Sequence, residues 1–132
     1  MALRWKVLIN TPEIQQDGGK LMKIHNIGRK NDFIVVTVVG RMDAVSAPDF
    51  EGYLNDLIAD GALRIIVDFE ALDYISSAGL RSVLITAKKI QAKNGEIMIV
   101  SLHDTVKEIF EISGFNTIIP VYGSVDAALE TA

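Results

Sequence analysis

The stretch FIVVTVVGRMDAVSAPDFEGYLNDLIADG, residues 33–61, decides the fold, because it reads as a strand, a loop and a helix in succession. Ile34 to Val39 is a nearly all-apolar run of strand length closed by Gly40. A strand with one wet face alternates apolar and polar residues, so an unbroken run predicts a strand covered on both faces, as in a parallel sheet. Ser46-Ala47-Pro48-Asp49 then combines an N-cap hydroxyl, an early proline and an acid three residues after the serine, the signals that open a helix. Phe50, Tyr53, Leu54, Leu57 and Ile58 follow at helical spacing, and Gly61 supplies the stop.

The same alternation repeats to the C-terminus. Leu63 to Phe69 reads as a second buried strand. Ser77 to Asn94 reads as a helix with Leu80, Val83, Leu84 and Ala87 on one face, and with Lys88, Lys89 and Lys93 near its C-terminal end, where they suit the helix dipole. Ile97 to Val100 is a third strand, after which Asp104 is expected to cap a helix carrying Val106, Ile109 and Phe110 and stopped by Gly114. Ile118 to Val121 reads as a last strand, leading through Ser124 into a short helix that ends near Leu129. This order predicts an α/β fold, a mixed but largely parallel central sheet packed with about four helices. Residues 1–21 read differently: Leu3, Trp5, Val7 and Ile9 alternate, and Thr11 to Lys20 is polar. They are expected to form an N-terminal extension of unknown role, with the domain at residues 22–132.

Composition narrows the function. The 132 residues suit one domain with a real core, and 49% hydrophobic against 23% charged is ordinary for a globular chain. Thirteen Lys and Arg against seventeen Asp and Glu leave a formal charge of −4 without any basic run, which argues against direct nucleic-acid or anionic-membrane binding. With no cysteine, disulfides, thiolate metal sites and cysteine nucleophiles are excluded, and a cytoplasmic setting is the expectation. The apolar runs are far shorter than the roughly 20 residues that cross a bilayer, and no signal-peptide core is read.

In open α/β sheets functional loops gather beyond the carboxyl ends of the strands. Two loops qualify, Gly40 to Ser46 and Leu72 to Leu80. In the second, Ser76 and Ser77 stand at a helix start, where unpaired N–H groups favour a hydroxyl or an anion. One of the serines could equally be a simple helix cap. Arg81 in the first turn opposes the helix dipole, so it either faces solvent beside a carboxylate or meets a partner; Leu80 fits the core as well as an interface.

Ile75-Ser76-Ser77-Ala78-Gly79-Leu80, after an acidic strand-to-helix loop, resembles the phosphorylation motif of STAS-domain anti-sigma-factor antagonists. Val39-Gly40-Arg41-Met42-Asp43 is similar to that family's Gly-x-(Leu/Met)-Asp loop. Phe110-Glu111-Ile112-Ser113-Gly114-Phe115 and Val121 to Leu129 resemble its C-terminal signature. The likeness covers about residues 22–132. It implies a non-catalytic, cytoplasmic switch that binds an anti-sigma factor of serine/threonine-kinase-like fold and is reset by an opposing serine phosphatase. The phosphoacceptor position falls on Ser77, with Ser76 the runner-up, since Ser76 stands where the family often has an acid. Asp43, Ala44, Ser76, Ser77, Leu80 and Arg81 are the implied partner-binding residues, although Asp43 could be only a loop carboxylate. A STAS assembly subunit of a stress-signalling, secretion or lipid-transport complex, without a phosphate cycle, is the competing expectation.

Other chemistries lack residues. There is no phosphate-binding glycine loop or dinucleotide fingerprint, so no cofactor is expected. His25 and His103 stand apart without metal-ligand neighbours. Asp68, Glu70 and Asp73 read as a solvated acidic loop. Ser77-Ala78-Gly79 superficially matches a hydrolase nucleophile elbow, but Ile75 occupies the place of its first glycine.

Overall fold

The computed structural model describes residues 22–132; the expected N-terminal extension, residues 1–21, lies outside the described residues. Six strands and four α-helices follow in the order β1 (Met22–Lys30), β2 (Phe33–Met42), α1 (Ala47–Ala59), β3 (Arg64–Asp68), β4 (Leu72–Ile75), α2 (Ser77–Ala92), β5 (Glu96–Val100), α3 (Asp104–Ser113), β6 (Val121–Tyr122) and α4 (Val125–Thr131), with a 3₁₀ turn at Phe115–Thr117. The sheet order is β1-β2-β3-β5-β6, with β4 pairing β2 beyond the reach of β3. Only β1 is antiparallel, to β2, so the sheet is mixed and largely parallel as expected.

β2 is covered on both faces. Val36 and Val38 join the main core with Phe50 and Leu54 of α1, Val83 and Ala87 of α2 and Phe110 of α3. Phe33 and Val35 point the other way, into a smaller cluster with Ile66, Met98 and Val100 that α4 closes through Ala128. Burying one Leu, Ile or Phe side chain contributes about 1.5–3 kcal/mol, so this two-sided strand is the anchor of the domain.

Several local expectations are corrected. Strand β1 and the four-residue β4 were not expected: β1 buries only Ile24 among its nine residues and is broken by a bulge at Asn26/Gly28, and β4 lies within what reads as a loop. The last strand is Val121–Tyr122 rather than Ile118 to Val121, because the 3₁₀ turn carries the chain up to Ile118. Asp104 is not a cap but the first residue of α3, with φ +50; the cap position is His103, which makes no side-chain capping bond. Ser46 stands at the N-cap of α1, yet its hydroxyl turns back into the preceding loop instead of capping. Ser124 does cap α4, accepting from the Ala127 N–H at 3.0 Å.

Candidate functional site

The two expected loops meet at the end of β2. Parallel pairing sets Gly40 opposite Leu72, Arg41 opposite Tyr74 and Met42 opposite Ile75. The Gly40 N–H donates to the Ala71 carbonyl at 3.0 Å, and the Ser76 N–H donates to the Met42 carbonyl at 2.9 Å. The short strand β4 thereby delivers the chain straight into the N-terminus of α2, one residue from the start of the Asp43 loop.

The serines divide at this point. Ser76 is extended (φ −94, ψ 177) and half-buried, and its Oγ accepts from the Gly79 N–H at 3.1 Å, so its hydroxyl is the N-cap of α2. Ser77 is the first helical residue, is exposed, and its hydroxyl has no partner among the described residues. Gly79 lets the helix come this close. A Cβ there would lie 2.8 Å from the Met42 carbonyl oxygen and 2.8 Å from Ile75 Cγ1. Leu80 is half-buried against the main core, and Arg81 is exposed.

Asp43 builds its own loop. Its Oδ1 accepts from the Val45 N–H at 3.0 Å and from the Ser46 N–H at 3.1 Å, while the Asp43 N–H donates to Ser46 Oγ at 2.9 Å. Ser46 Oγ also lies 3.1 Å from Asp43 Oδ1 and 3.0 Å from the Arg41 carbonyl, and its single proton serves one acceptor at a time. Slight burial pushes the Asp43 carboxyl upward, but the hydrogen bonds from Ser46 and Val45 and the nearby Arg41 charge outweigh it and hold it below the usual carboxylate range. Asp43 is therefore anionic at neutral pH. No side-chain hydrogen bond joins Asp43 to Ser76 or Ser77 among the described residues; the two loops meet through backbone. Ala44 and Val45 are exposed, Val45 at 79%.

Sequence reading missed two features. The Arg41 guanidinium lies 4.3 Å from the centroid of the Tyr74 ring, a contact across the β2–β4 pairing that is invisible until β4 is recognised as a strand. Buried Ser82 donates to Glu51 Oε2 at 2.8 Å, with the Ala47 carbonyl at 3.3 Å, fastening α2 to the first turns of α1. A serine in the second turn of a helix carries no distinctive sequence signal.

Elsewhere, His103 bridges Asp104 Oδ2 (2.9 Å) and the Glu70 carbonyl (2.5 Å) through its two ring nitrogens. Both partners only accept, which favours the doubly protonated ring; the Asp104 carboxylate first and the Glu70 carbonyl second raise its pKa. The Asp68 carboxylate accepts from the Glu70 N–H at 2.9 Å, so this acid organises its turn while Glu70 and Asp73 are exposed. Among the described residues no group of three or more potential ligands could hold a metal ion, and no helix is long and apolar enough to cross a membrane.

Comparison with known proteins places this geometry. The STAS domain family model matches residues 25–128. The Bordetella bronchiseptica protein BtrV, described as a putative anti-sigma factor antagonist, is 40% identical over 95 residues, which is 72% of this chain and 82% of that protein. A crystal structure of an anti-sigma factor antagonist from Mycobacterium paratuberculosis has the same fold, with a TM-score of 0.78 and 23% identity over 86% of this chain and 96% of that one. SpoIIAA of Bacillus in its phosphorylated form shares the fold at a TM-score of 0.63 and 19% identity, covering 83% of this chain and 97% of that one. With the family model spanning residues 25–128 and the strand, loop and helix order in place, this chain belongs to the STAS-domain family.

Proposed function

We propose that this protein is an anti-sigma factor antagonist acting as a phosphorylation-controlled partner switch in the cytoplasm. With Ser77 unmodified it binds an anti-sigma factor of serine/threonine-kinase-like fold and so releases a sigma factor. Phosphorylation of Ser77 ends the binding, and an opposing serine phosphatase restores it. The protein is substrate and ligand in this cycle rather than catalyst, and it regulates transcription without touching nucleic acid.

The observation that carries this reading is the division between the two serines. Ser76 is committed to capping α2, whereas the Ser77 hydroxyl is exposed at the first helical position without a protein partner among the described residues. A phosphate there would add about −1.5 to −2 charges. The N–H groups of the first turn and the positive helix end offset part of that charge within the protein, so the fold tolerates it. Across a docked interface the same charge meets a surface fitted to a neutral hydroxyl, and anionic Asp43 in the adjoining loop adds to it. Residues Ala44, Val45, Leu80 and Arg81 flank the same loops and form the rest of the proposed contact surface.

The acceptor is tested by incubating the protein with its kinase and ATP and mapping the product by fragmentation. Phosphate on Ser77 supports the switch; phosphate confined to Ser76 overturns the assignment. A constitutive assembly subunit would function equally well as Ser77→Ala, whereas a switch carrying that substitution is locked in its binding state.

A further inference from the structure

Resting on that reading, we infer that the Arg41 guanidinium, held on the Tyr74 ring, is the element of this surface that receives a carboxylate from the docked partner. Arg41 is exposed at the end of β2, directly opposite Tyr74 of β4. Its guanidinium carbon sits 4.3 Å from the ring centroid. The guanidinium makes no hydrogen bond or ion pair with any described residue, so all five N–H groups are open.

A second stacked arginine among the described residues shows the contrast. Arg64 lies 4.7 Å from the Phe33 ring, but it also holds Glu96 at 3.1 Å, so its charge is answered within the fold. Asp43 feels the Arg41 charge but forms no ion pair with it, and its Oδ1 is taken by the Val45 and Ser46 N–H groups. A fork stacked on an aromatic face has already lost much of its side-chain freedom, so less entropy is lost when an acceptor arrives. Its edge matches the two oxygens of a carboxylate, a bidentate geometry that lysine lacks.

Position ties this fork to the switch. The residue after Arg41 accepts the Ser76 N–H at 2.9 Å, so fork and Ser77 belong to one loop mouth. The chain carries a formal charge of −4, and anionic Asp43 lies in this mouth two residues after the fork. An acidic side chain approaching it is repelled by Asp43 and attracted at the fixed guanidinium, while exposed Arg81 is held on no ring among the described residues, which makes the fork a register mark as well as an attraction. Tyrosine and arginine are also the side chains most often found at energetic centres of protein interfaces.

The test uses full-length protein and the purified kinase-like anti-sigma factor that phosphorylates it, titrated by calorimetry at two salt concentrations. Arg41→Ala is expected to weaken binding at least tenfold and to flatten the salt dependence. Arg41→Lys recovers little of this, Tyr74→Phe binds within about twofold of the parent, and Tyr74→Leu loses severalfold. Arg41→Ala binding within twofold of the parent, or Arg41→Lys restoring full affinity, overturns the inference. Loss of binding in Ser77→Asp with Arg41→Ala unaffected overturns the inference alone. Ser77→Asp binding as tightly as the unmodified protein overturns the switch itself.

Discussion

Replacing Gly79 by alanine tests the close approach of α2 to β2 on which the site depends. The added methyl carbon would stand 2.8 Å from the Met42 carbonyl oxygen, 2.8 Å from Ile75 Cγ1 and 3.1 Å from Met42 Cγ. Ordinary contact is about 3.5 Å, so the first turn of α2 must retreat by roughly 0.7 Å. The carbonyl cannot simply yield, because it accepts the Ser76 N–H at 2.9 Å. Overpacking of this kind costs about 1–3 kcal/mol. Alanine recovers up to about 1 kcal/mol of helix propensity, leaving a net loss of up to about 2 kcal/mol. Gly52, inside α1, is the control, since nothing lies within 4 Å of a Cβ built there. Gly52→Ala should stabilise by about 0.4–1 kcal/mol. Urea unfolding of both variants should therefore move the midpoint in opposite directions at unchanged slope, and the difference between them isolates the steric term. If Gly79→Ala is as stable as Gly52→Ala, the tight seat of α2 on Met42 is wrong.

Two further outcomes follow from the same geometry. Ser76→Ala removes the cap of α2 and should lower stability by about 0.5–2 kcal/mol, whereas Ser77→Ala should unfold within about 0.5 kcal/mol of the parent; equal losses would mean that the capping roles are misassigned. In an NMR titration His103 should keep its proton above the ordinary 6.5, and Asp104→Asn should lower that pKa. Because the folded value is raised, the stabilisation from His103 is present below about 6.5 and is lost as pH rises through the folded pKa. A stability difference between the parent and His103→Gln that grows toward alkaline pH would contradict this sign.

The architecture was legible in the sequence where burial was extreme. Ile34 to Val39 carries apolar residues on both faces because both faces are covered, and a strand with one wet face would have shown polar residues at every second position. Strand β1 was illegible for the opposite reason. It is an edge strand whose outer residues are exposed, and a bulge interrupts its alternation, with Asn26 Oδ1 accepting the Gly28 N–H at 2.8 Å. Strand β4 offers only Leu72 and Ile75 to the core, too few to show a period. Missing β4 concealed Arg41 on Tyr74, because cross-strand contacts follow from register and not from spacing. The serine pair was visible as a helix start, but which hydroxyl caps and which is free depended on backbone angles that no residue type dictates. At Ser46 the expected cap failed because Asp43 offered the hydroxyl and the loop N–H groups a closer set of partners.

The most direct measurement is calorimetric titration of the anti-sigma factor with three forms of the chain: unmodified, phosphorylated on Ser77, and Ser77→Ala, with a melting curve for each. A charge penalty of about 3 kcal/mol across the interface corresponds to more than a hundredfold in affinity. Tight binding by the unmodified and alanine forms, binding more than a hundredfold weaker by the phosphoprotein, and closely similar melting temperatures for all three are the expected result. A phosphoprotein that binds as tightly as the unmodified form, or one that loses binding because it has unfolded, would contradict a switch worked by charge at Ser77.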